Sequence, residues 1–276
     1  MGYELKIHGH GIDRRWIFVE QSSRGKRIFI TIYQGYHQLL VRSDSFFLIT
    51  NTNHTNTNTT IMTAYTLHTP AGNFRAFKIL IAAEYNSIPI EVPEFDPNQT
   101  TTLSPTGKAP VLQTPSGSIL FESTSIARFI AKLRRDTGLT GNGSIVEEAA
   151  VDQWCDFVAN KIELPACVWW YPVAGYMPFQ QTAYNKAKVD LSKALATLNA
   201  HLKNSSSQFL VNDQVTLADI VVASALVYPF KLVCDPKYLK KFPEVISWFQ
   251  KCVGQDEFKA VIGEVTMCKK EVKSAR

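Results

Sequence analysis

Residues 107–111 read Gly-Lys-Ala-Pro-Val and residues 121–125 read Phe-Glu-Ser-Thr-Ser, on either side of a predicted strand–turn–strand unit. A cis bond between Ala109 and Pro110 would turn the Ala109 backbone outward, where it can pair with an extended peptide. The alternative is that Pro110 only shapes a loop. The two stretches place a proline immediately before a predicted strand and a polar pair at the start of a predicted helix. This arrangement makes them the most informative part of the sequence.

The second stretch supplies groups that recognise charge. Ser123 lies at the predicted start of a helix, where a hydroxyl and free backbone N–H groups donate to a carboxylate. The neighbouring Glu122 can pair with an amine. A γ-glutamyl group carries both a carboxylate and an amine, so it suits this pair. The alternative is that Ser123 only caps the helix.

Short strands and helices alternate around these stretches over residues 62–137. A helix is predicted by Phe74, Phe77 and Ile81, which share one helical face. The predicted order is strand, helix, strand, loop, two strands and a helix, which is typical of a small α/β domain. The four predicted strands are Tyr65–Leu67, Ile88–Val92, Val111–Gln113 and Ser118–Phe121.

After the glycine-containing linker at residues 138–143, the pattern is helical throughout, which predicts an all-α domain over residues 144–268. Residues 216–230 carry one charge, Asp219, and are apolar on every side, so they predict a buried central helix. Thr216 and Asp219 have the spacing of a capping box, and we interpret Asp219 as a determinant of the fold.

The first 61 residues differ in composition from the rest. All prolines and cysteines lie after residue 69, and residues 51–60 read NTNHTNTNTT, a low-complexity tract with nothing to bury. The sequence predicts a poorly ordered extension over residues 1–61.

Composition excludes several classes of function. The net charge of +5 lacks the dense basic stripe of nucleic-acid-binding proteins. No apolar run is long enough to cross a membrane. The five cysteines are scattered without a C-x-x-C pair, which predicts reduced, mostly buried thiols, no metal site and a cytoplasmic location. Only His68 and His201 follow residue 61, so this part of the sequence offers few histidines for a catalytic triad or a metal site.

Three segments, GKAPVL, FESTSIARFIA and TLADI, resemble those of the glutathione-transferase fold. More specifically, about three quarters of the chain resembles the gamma subunit family of translation elongation factor 1. The segments that carry this second resemblance are NFRAFKILIAAEY, PACVWWYP, FLVNDQVTLADI and FKAVIGEVTMCKK. The resemblance implies a thioredoxin-like N-terminal domain followed by an all-helical glutathione-transferase C-terminal domain.

The resemblance also implies a glutathione site, formed by the residues Ala109, Pro110, Glu122 and Ser123. In serine-type transferases the activating hydroxyl precedes an arginine of the first helix by four residues. Counting back from Arg75 gives Ala71, which has no hydroxyl, and Thr69 could substitute only if the loop shifts. We therefore expect no catalytic residue, no cofactor, and glutathione only as a weakly held ligand or co-substrate.

By the same resemblance, the chain is expected to be a scaffold that holds the nucleotide-exchange subunit acting on elongation factor 1-alpha. The alternative is an active glutathione transferase that conjugates small electrophiles; a transferase-like appendage of an aminoacyl-tRNA synthetase assembly is a third interpretation. A homodimer is compatible with each. Residues 269–276 are interpreted as the start of the Lys-rich linker of the family, so the chain is expected to be a shortened member.

The run Trp169-Trp170-Tyr171 has two interpretations. It is either core packing between the two domains, or an apolar wall beside the glutathione cleft or for a partner, since Trp and Tyr are frequent in binding hot spots.

Overall fold

The computed structural model describes residues 64–273 in full and, before them, the backbone of strands within residues 28–32, 38–43, 46–53 and 56–62. The described residues group into two compact units. The smaller contains the residues up to 66 together with residues 113–118, and the larger contains residues 67–112 and those from 119 onward. The predicted boundaries at 62–137 and 144–268 stay predictions, because the larger unit draws elements from both ranges.

The smaller unit contains an antiparallel meander of four strands in the order β1-β2-β3-β4. In the register of the last pair, Phe47 lies opposite Met62 and Asn53 opposite Asn56. The strands are β1 Ile28–Ile32, β2 Gln38–Ser43, β3 Phe46–Asn53 and β4 Asn56–Met62.

For these strand residues the structure departs from the expected structureless extension, whereas residues 1–27 lie outside the described part of the chain. In β4 the physical reason is that the Asn–Thr tract alternates asparagine with β-branched threonine over residues 56–59, whereas β1 and β2 lie outside the tract and consist largely of aliphatic residues. Threonine favours the extended conformation even where the composition is of low complexity.

A second four-stranded sheet has the order β6-β5-β7-β8, and its strands are close to those predicted. Helix α1 follows β5, and α3 follows β8. The predicted loop after β6 contains a short helix, α2, because Asp96 caps it by accepting from the Asn98 N–H (2.9 Å). The elements are β5 Tyr65–His68, α1 Phe74–Asn86, β6 Ile90–Glu91, α2 Pro97–Leu103, β7 Val111–Gln113, β8 Ile119–Leu120 and α3 Ser123–Lys132.

The rest of the larger unit is helical, as predicted. One long helix changes its hydrogen-bonding pattern in the middle: α4 continues through a π-helical segment, Val158–Glu163, directly into α5. The helices are α4 Ile145–Phe157, α5 Leu164–Trp170, α6 Gln181–Asn204, α7 Leu217–Leu232, α8 Pro236–Leu239, α9 Pro243–Val253 and α10 Asp256–Ile262.

Helix α7 is the buried centre of this helical region, and its start has the predicted capping box. One carboxylate oxygen of the fully buried Asp219 accepts from the Thr216 N–H and from the Thr216 hydroxyl (both 2.9 Å). The other oxygen accepts from the Leu210 N–H and from the Trp248 indole N–H (both 2.9 Å). Asp219 therefore starts α7 and also ties the preceding loop and α9 to it.

Candidate glutathione site

The residues predicted to bind glutathione lie at the two free ends of one β-hairpin. The Ala109–Pro110 bond, which is cis, directly precedes β7, and Glu122 follows β8. The two strands are neighbours joined by a short turn, and a connection of that length requires them to run antiparallel. The start of β7 and the end of β8 therefore lie at the same end of the hairpin. This brings Pro110 and Glu122 to the same end of the two strands.

Glu122 is the N-cap residue of α3 and has a left-handed backbone, with φ 68° and ψ 106°. Residues other than glycine have a steric cost in this conformation, and such backbone outliers concentrate at ligand-binding sites. The Glu122 side chain is exposed and makes no cap hydrogen bond to its own helix. Its carboxylate is therefore presented to solvent at the helix start, where a ligand amine can reach it.

Ser123 is the first residue of α3 and is buried beside Glu122. The first N–H groups of a helix have no partner within it, and together with the helix dipole they favour an anion at this end. The helix start therefore offers donors for a carboxylate next to a side-chain carboxylate for an amine. That glutathione occupies this position stays a prediction.

The loop between β5 and α1 contains Thr69 and Ala71, the two positions considered for an activating hydroxyl. Thr69 is only 4% exposed. Its Oγ1 accepts from the Asn73 amide (3.1 Å) and donates to the Pro70 carbonyl (3.4 Å). Because Asn73 caps α1, the Thr69 hydroxyl belongs to the turn that starts this helix. Ala71, at the position implied by the resemblance, is exposed and presents only a methyl group.

Aromatic side chains of the helical region hold this loop in place. The Tyr228 hydroxyl donates to the Gly72 carbonyl (2.7 Å), and its ring stacks on Trp170 with centroids 4.9 Å apart. Gly72 has φ +71°, and a Cβ there would lie 3.1 Å from the Tyr228 hydroxyl oxygen. Both the backbone conformation and the close approach therefore favour glycine at this position.

The Trp169-Trp170-Tyr171 run serves mainly as core. Both tryptophans are buried, which supports the packing interpretation for them. Tyr171 is half-buried, and its hydroxyl accepts from the Arg75 guanidinium (2.9 Å). Arg75 thus joins the first helix to α5, a contact that sequence spacing did not reveal.

A fully buried lysine also joins α1 to the helical region. The Lys78 ammonium pairs with the Glu163 carboxylate and donates to the Thr124 hydroxyl (3.4 Å). Since an isolated buried charge is costly, the pairing with Glu163 offsets the cost of burying Lys78 in the core. Sequence analysis missed it; the only available signal was a lysine on the apolar face of α1. Glu163 ends the π-helical segment, and such segments often occur at functional sites.

All five cysteines are free thiols, and Cys155, Cys167, Cys234 and Cys252 are buried, as expected for most of them. Burial raises the pKa of the Cys155 thiol to about 12. Burial also raises the pKa of Cys167 even though Tyr171 and Arg75 lie beside it and act in the opposite direction. Neither of these thiols is activated as a nucleophile.

A groove of about 390 Å³ lies away from the predicted glutathione residues, between the α4–α5 helix and α6. It is lined in part by Phe157, Lys161, Leu164 and Lys193.

Within residues 64–273 no cluster of His, Cys, Asp or Glu could hold a metal ion. Across the same described range, no helix combines the length and apolar character that a membrane span requires.

Two family models match this chain. The glutathione S-transferase N-terminal domain matches residues 75–133, and the glutathione S-transferase C-terminal domain matches residues 166–256. Together with the observed architecture, they confirm the predicted class, a thioredoxin-like domain followed by an all-helical domain.

Curated relatives share the same region. The chain is 37% identical to elongation factor 1-gamma-B of Xenopus laevis over 219 residues, covering 76% of this chain and 49% of that protein. It is 40% identical to probable elongation factor 1-gamma 1 of Arabidopsis thaliana over 209 residues, covering 73% of this chain and 50% of that protein. The chain thus spans about half the length of the relatives it matches.

A solved structure shows the same fold. The GST-like domain of elongation factor 1-gamma from Saccharomyces cerevisiae superposes with a TM-score of 0.66 at 19% identity, covering 77% of this chain and 99% of that one. At this identity the structural likeness establishes the fold alone, and the sequence relatives carry the more specific assignment. Over its transferase-like region, the chain is therefore a relative of the elongation factor 1-gamma proteins.

Proposed function

We propose that this chain is a scaffold subunit of the elongation factor 1 complex, acting in the cytoplasm. In this role it holds the nucleotide-exchange subunit that acts on elongation factor 1-alpha, and it binds glutathione at most weakly. The observation that carries the proposal is the 37–40% identity to elongation factor 1-gamma proteins across both transferase-like domains. Fold alone does not carry it, because one fold serves many functions.

The loop before α1 supports a role without catalysis. Glutathione transfer requires a donor near the sulfur, because only a lowered thiol pKa gives a substantial population of thiolate at neutral pH. Here the Ala71 side chain has no hydrogen-bond donor, and the Thr69 hydroxyl is buried and hydrogen-bonded within the turn. A scaffold loses nothing by this arrangement, whereas an enzyme would lose rate.

One specific observation supports glutathione binding, which the alternative, an active glutathione transferase, requires. Glu122 keeps a costly left-handed backbone and an exposed carboxylate beside Ser123 at the start of α3. A site of this form suits glutathione even where transfer chemistry is absent. The two functions are compatible, since a scaffold can retain weak glutathione binding.

We expect the full chain, used as bait in a eukaryotic lysate, to recover the exchange-factor subunits and elongation factor 1-alpha. Bound proteins are identified by mass spectrometry, and glutathione conjugation to 1-chloro-2,4-dinitrobenzene is assayed on the same preparation. Recovery of those subunits without turnover supports the scaffold. Turnover without those partners would contradict it and favour the transferase.

The glutathione site has its own test, the substitution Glu122→Ala. We expect it to weaken glutathione binding about 10-fold or more, because a charge-assisted hydrogen bond to the ligand amine is lost. Affinity is measured by isothermal titration calorimetry. Glu94→Ala, which changes an exposed carboxylate of the loop after β6, is the matched control and should bind like the parent. Equal affinity in Glu122→Ala and the parent would remove Glu122 from the site.

A further inference from the structure

An extended segment follows α10 and returns to the end of α7. The Cys268 N–H donates to the Phe230 carbonyl, and the Val272 N–H donates to the Leu232 carbonyl (both 2.8 Å). We call residues 268–272 the strap. The predicted Lys-rich linker was expected to begin at residue 269, but most of the strap lies within that range and makes defined contacts with the helical region.

The strap supplies donors where α7 needs them. The last carbonyl groups of a helix have no partner within it, and a helix end that is buried requires donors from elsewhere. Helix α7 is buried over most of its length, up to Phe230 near its end. Two of its terminal carbonyls, those of Phe230 and Leu232, accept from the strap. The strap therefore completes the hydrogen bonding of the central helix.

One strap side chain, Glu271, reaches three donors on α5 and α6. Its carboxylate accepts from the Trp169 indole N–H (3.1 Å) and from the Tyr184 hydroxyl (2.6 Å). Each of its oxygens also lies 2.9 Å from the Lys188 ammonium. One carboxylate therefore satisfies three different side chains from two helices.

Each of these three donors also makes contacts that do not involve Glu271. Trp169 is fully buried, and its ring packs edge-on against Tyr184 and Tyr238. The Tyr238 hydroxyl donates to the Lys188 carbonyl (2.9 Å), and the Lys188 ammonium lies 4.9 Å from the centre of the Trp169 ring. Without a carboxylate, a buried indole N–H and a phenol hydroxyl would lose their acceptor next to an unpaired ammonium, which is an unfavourable arrangement.

The charge state of Glu271 agrees with this geometry. Burial by itself raises the pKa of Glu271, but hydrogen bonds from Lys188, Tyr184 and Trp169 outweigh it, so the pKa lies below the usual range. The carboxylate is therefore the ionised acceptor that three donors require. The lysines beside it, Lys269 and Lys270, are exposed and leave this pairing undisturbed.

We propose that Trp169, Tyr184 and Lys188 form a carboxylate-binding site whose ligand is Glu271 of the same chain. By binding this residue, the site holds the strap against the end of α7 and sets the point at which the chain leaves the helical region. The ligand class is an acidic residue in an extended segment, recognised by its carboxylate and by two backbone N–H groups.

Hydrogen exchange of the full chain tests the site. In Glu271→Ala we expect the Cys268 and Val272 amides to exchange at least about 10-fold faster than in the parent, because the strap opens more often. Amides in the interior of α9 serve as the reference for global unfolding and should change less. Glu264→Ala removes an exposed carboxylate just before the strap and should leave both strap amides unchanged.

Two results would overturn the proposal: unchanged strap amides in Glu271→Ala, or equal acceleration of strap and α9 amides. A second variant separates recognition from simple packing. Lys188→Met keeps the apolar part of the side chain and removes its charge, so it should also speed exchange of the strap amides. Combined with Glu271→Ala it should add little, because both changes open the same contact. Fully additive effects would show that Glu271 and Lys188 act separately.

Discussion

Replacing Asp219 with alanine should lower the free energy of unfolding by about 4 kcal/mol, roughly a thousandfold change in the folding equilibrium. Its carboxylate is fully buried and accepts four hydrogen bonds, from Thr216, Leu210 and Trp248. Alanine removes all four acceptor contacts at once. The loss exceeds that of an ordinary helix cap, about 0.5–2 kcal/mol, because two of the donors belong to other parts of the fold.

Urea denaturation followed by circular dichroism and by tryptophan fluorescence measures this loss. The matched control is Asp190→Ala, which removes a surface carboxylate paired with Lys186 and should hardly change the denaturation midpoint. Asp219→Asn keeps the shape of the side chain but places an NH₂ group opposite the hydrogen-bond donors that now face the carboxylate. This variant should therefore also unfold at a lower urea concentration than the parent. A loss below about 1 kcal/mol for Asp219→Ala would contradict the structural role assigned to this residue.

Replacing Ala71 with serine should raise glutathione conjugation on the order of 100-fold, the effect of one well-placed donor in other enzymes. Ala71 lies at the position implied for the activating hydroxyl and is exposed, so the extra oxygen meets no steric barrier in the described structure. The serine hydroxyl can stabilise a thiolate, provided that glutathione binds at Glu122 and Ser123. The measurement is conjugation to 1-chloro-2,4-dinitrobenzene at saturating glutathione.

A matched variant tests the other hydroxyl of the loop. Thr69→Val removes the buried hydroxyl that contacts Asn73 and should leave any residual turnover unchanged. Loss of residual turnover in Thr69→Val, with unchanged glutathione affinity and unchanged thermal stability, would mean that the loop shifts and Thr69 activates the thiol. If Ala71→Ser stays as slow as the parent while glutathione still binds, the position implied by the family pattern is wrong for this chain.

Several features were predictable from the sequence because they depend on neighbouring residues. The capping box at Thr216 and Asp219 follows from a spacing of three residues, and the structure confirms it. The run after Thr216 predicted a buried helix because it is apolar on every side of the helix, which again depends only on neighbouring residues. The alternation of strands and helices predicted the α/β domain, although α2 was missed, since its Asn-Thr-rich sequence is also typical of a loop.

The candidate site was predictable only in part. The positions of Glu122 and Ser123 at a helix start followed from local pattern, whereas the left-handed backbone of Glu122 appears only in the structure. The bonds that occupy the Thr69 hydroxyl likewise depend on how the loop turns into α1. The resemblance predicted which residues form the site, and the geometry showed which of their polar groups are exposed and which are already hydrogen-bonded.

The sequence by itself determined the class of fold, the start and burial of α7, and the absence of a hydroxyl at Ala71, because each depends on residue identity and local spacing. Only the tertiary structure decided the distant partners of three buried or half-buried charges, which are Glu163 for Lys78, Trp248 for Asp219 and Trp169 for Glu271. Their partners lie far away along the chain, and Trp169 is 102 positions from Glu271. The physical reason is that burial obliges a charge to be paired, but packing alone chooses which distant group comes within hydrogen-bonding distance.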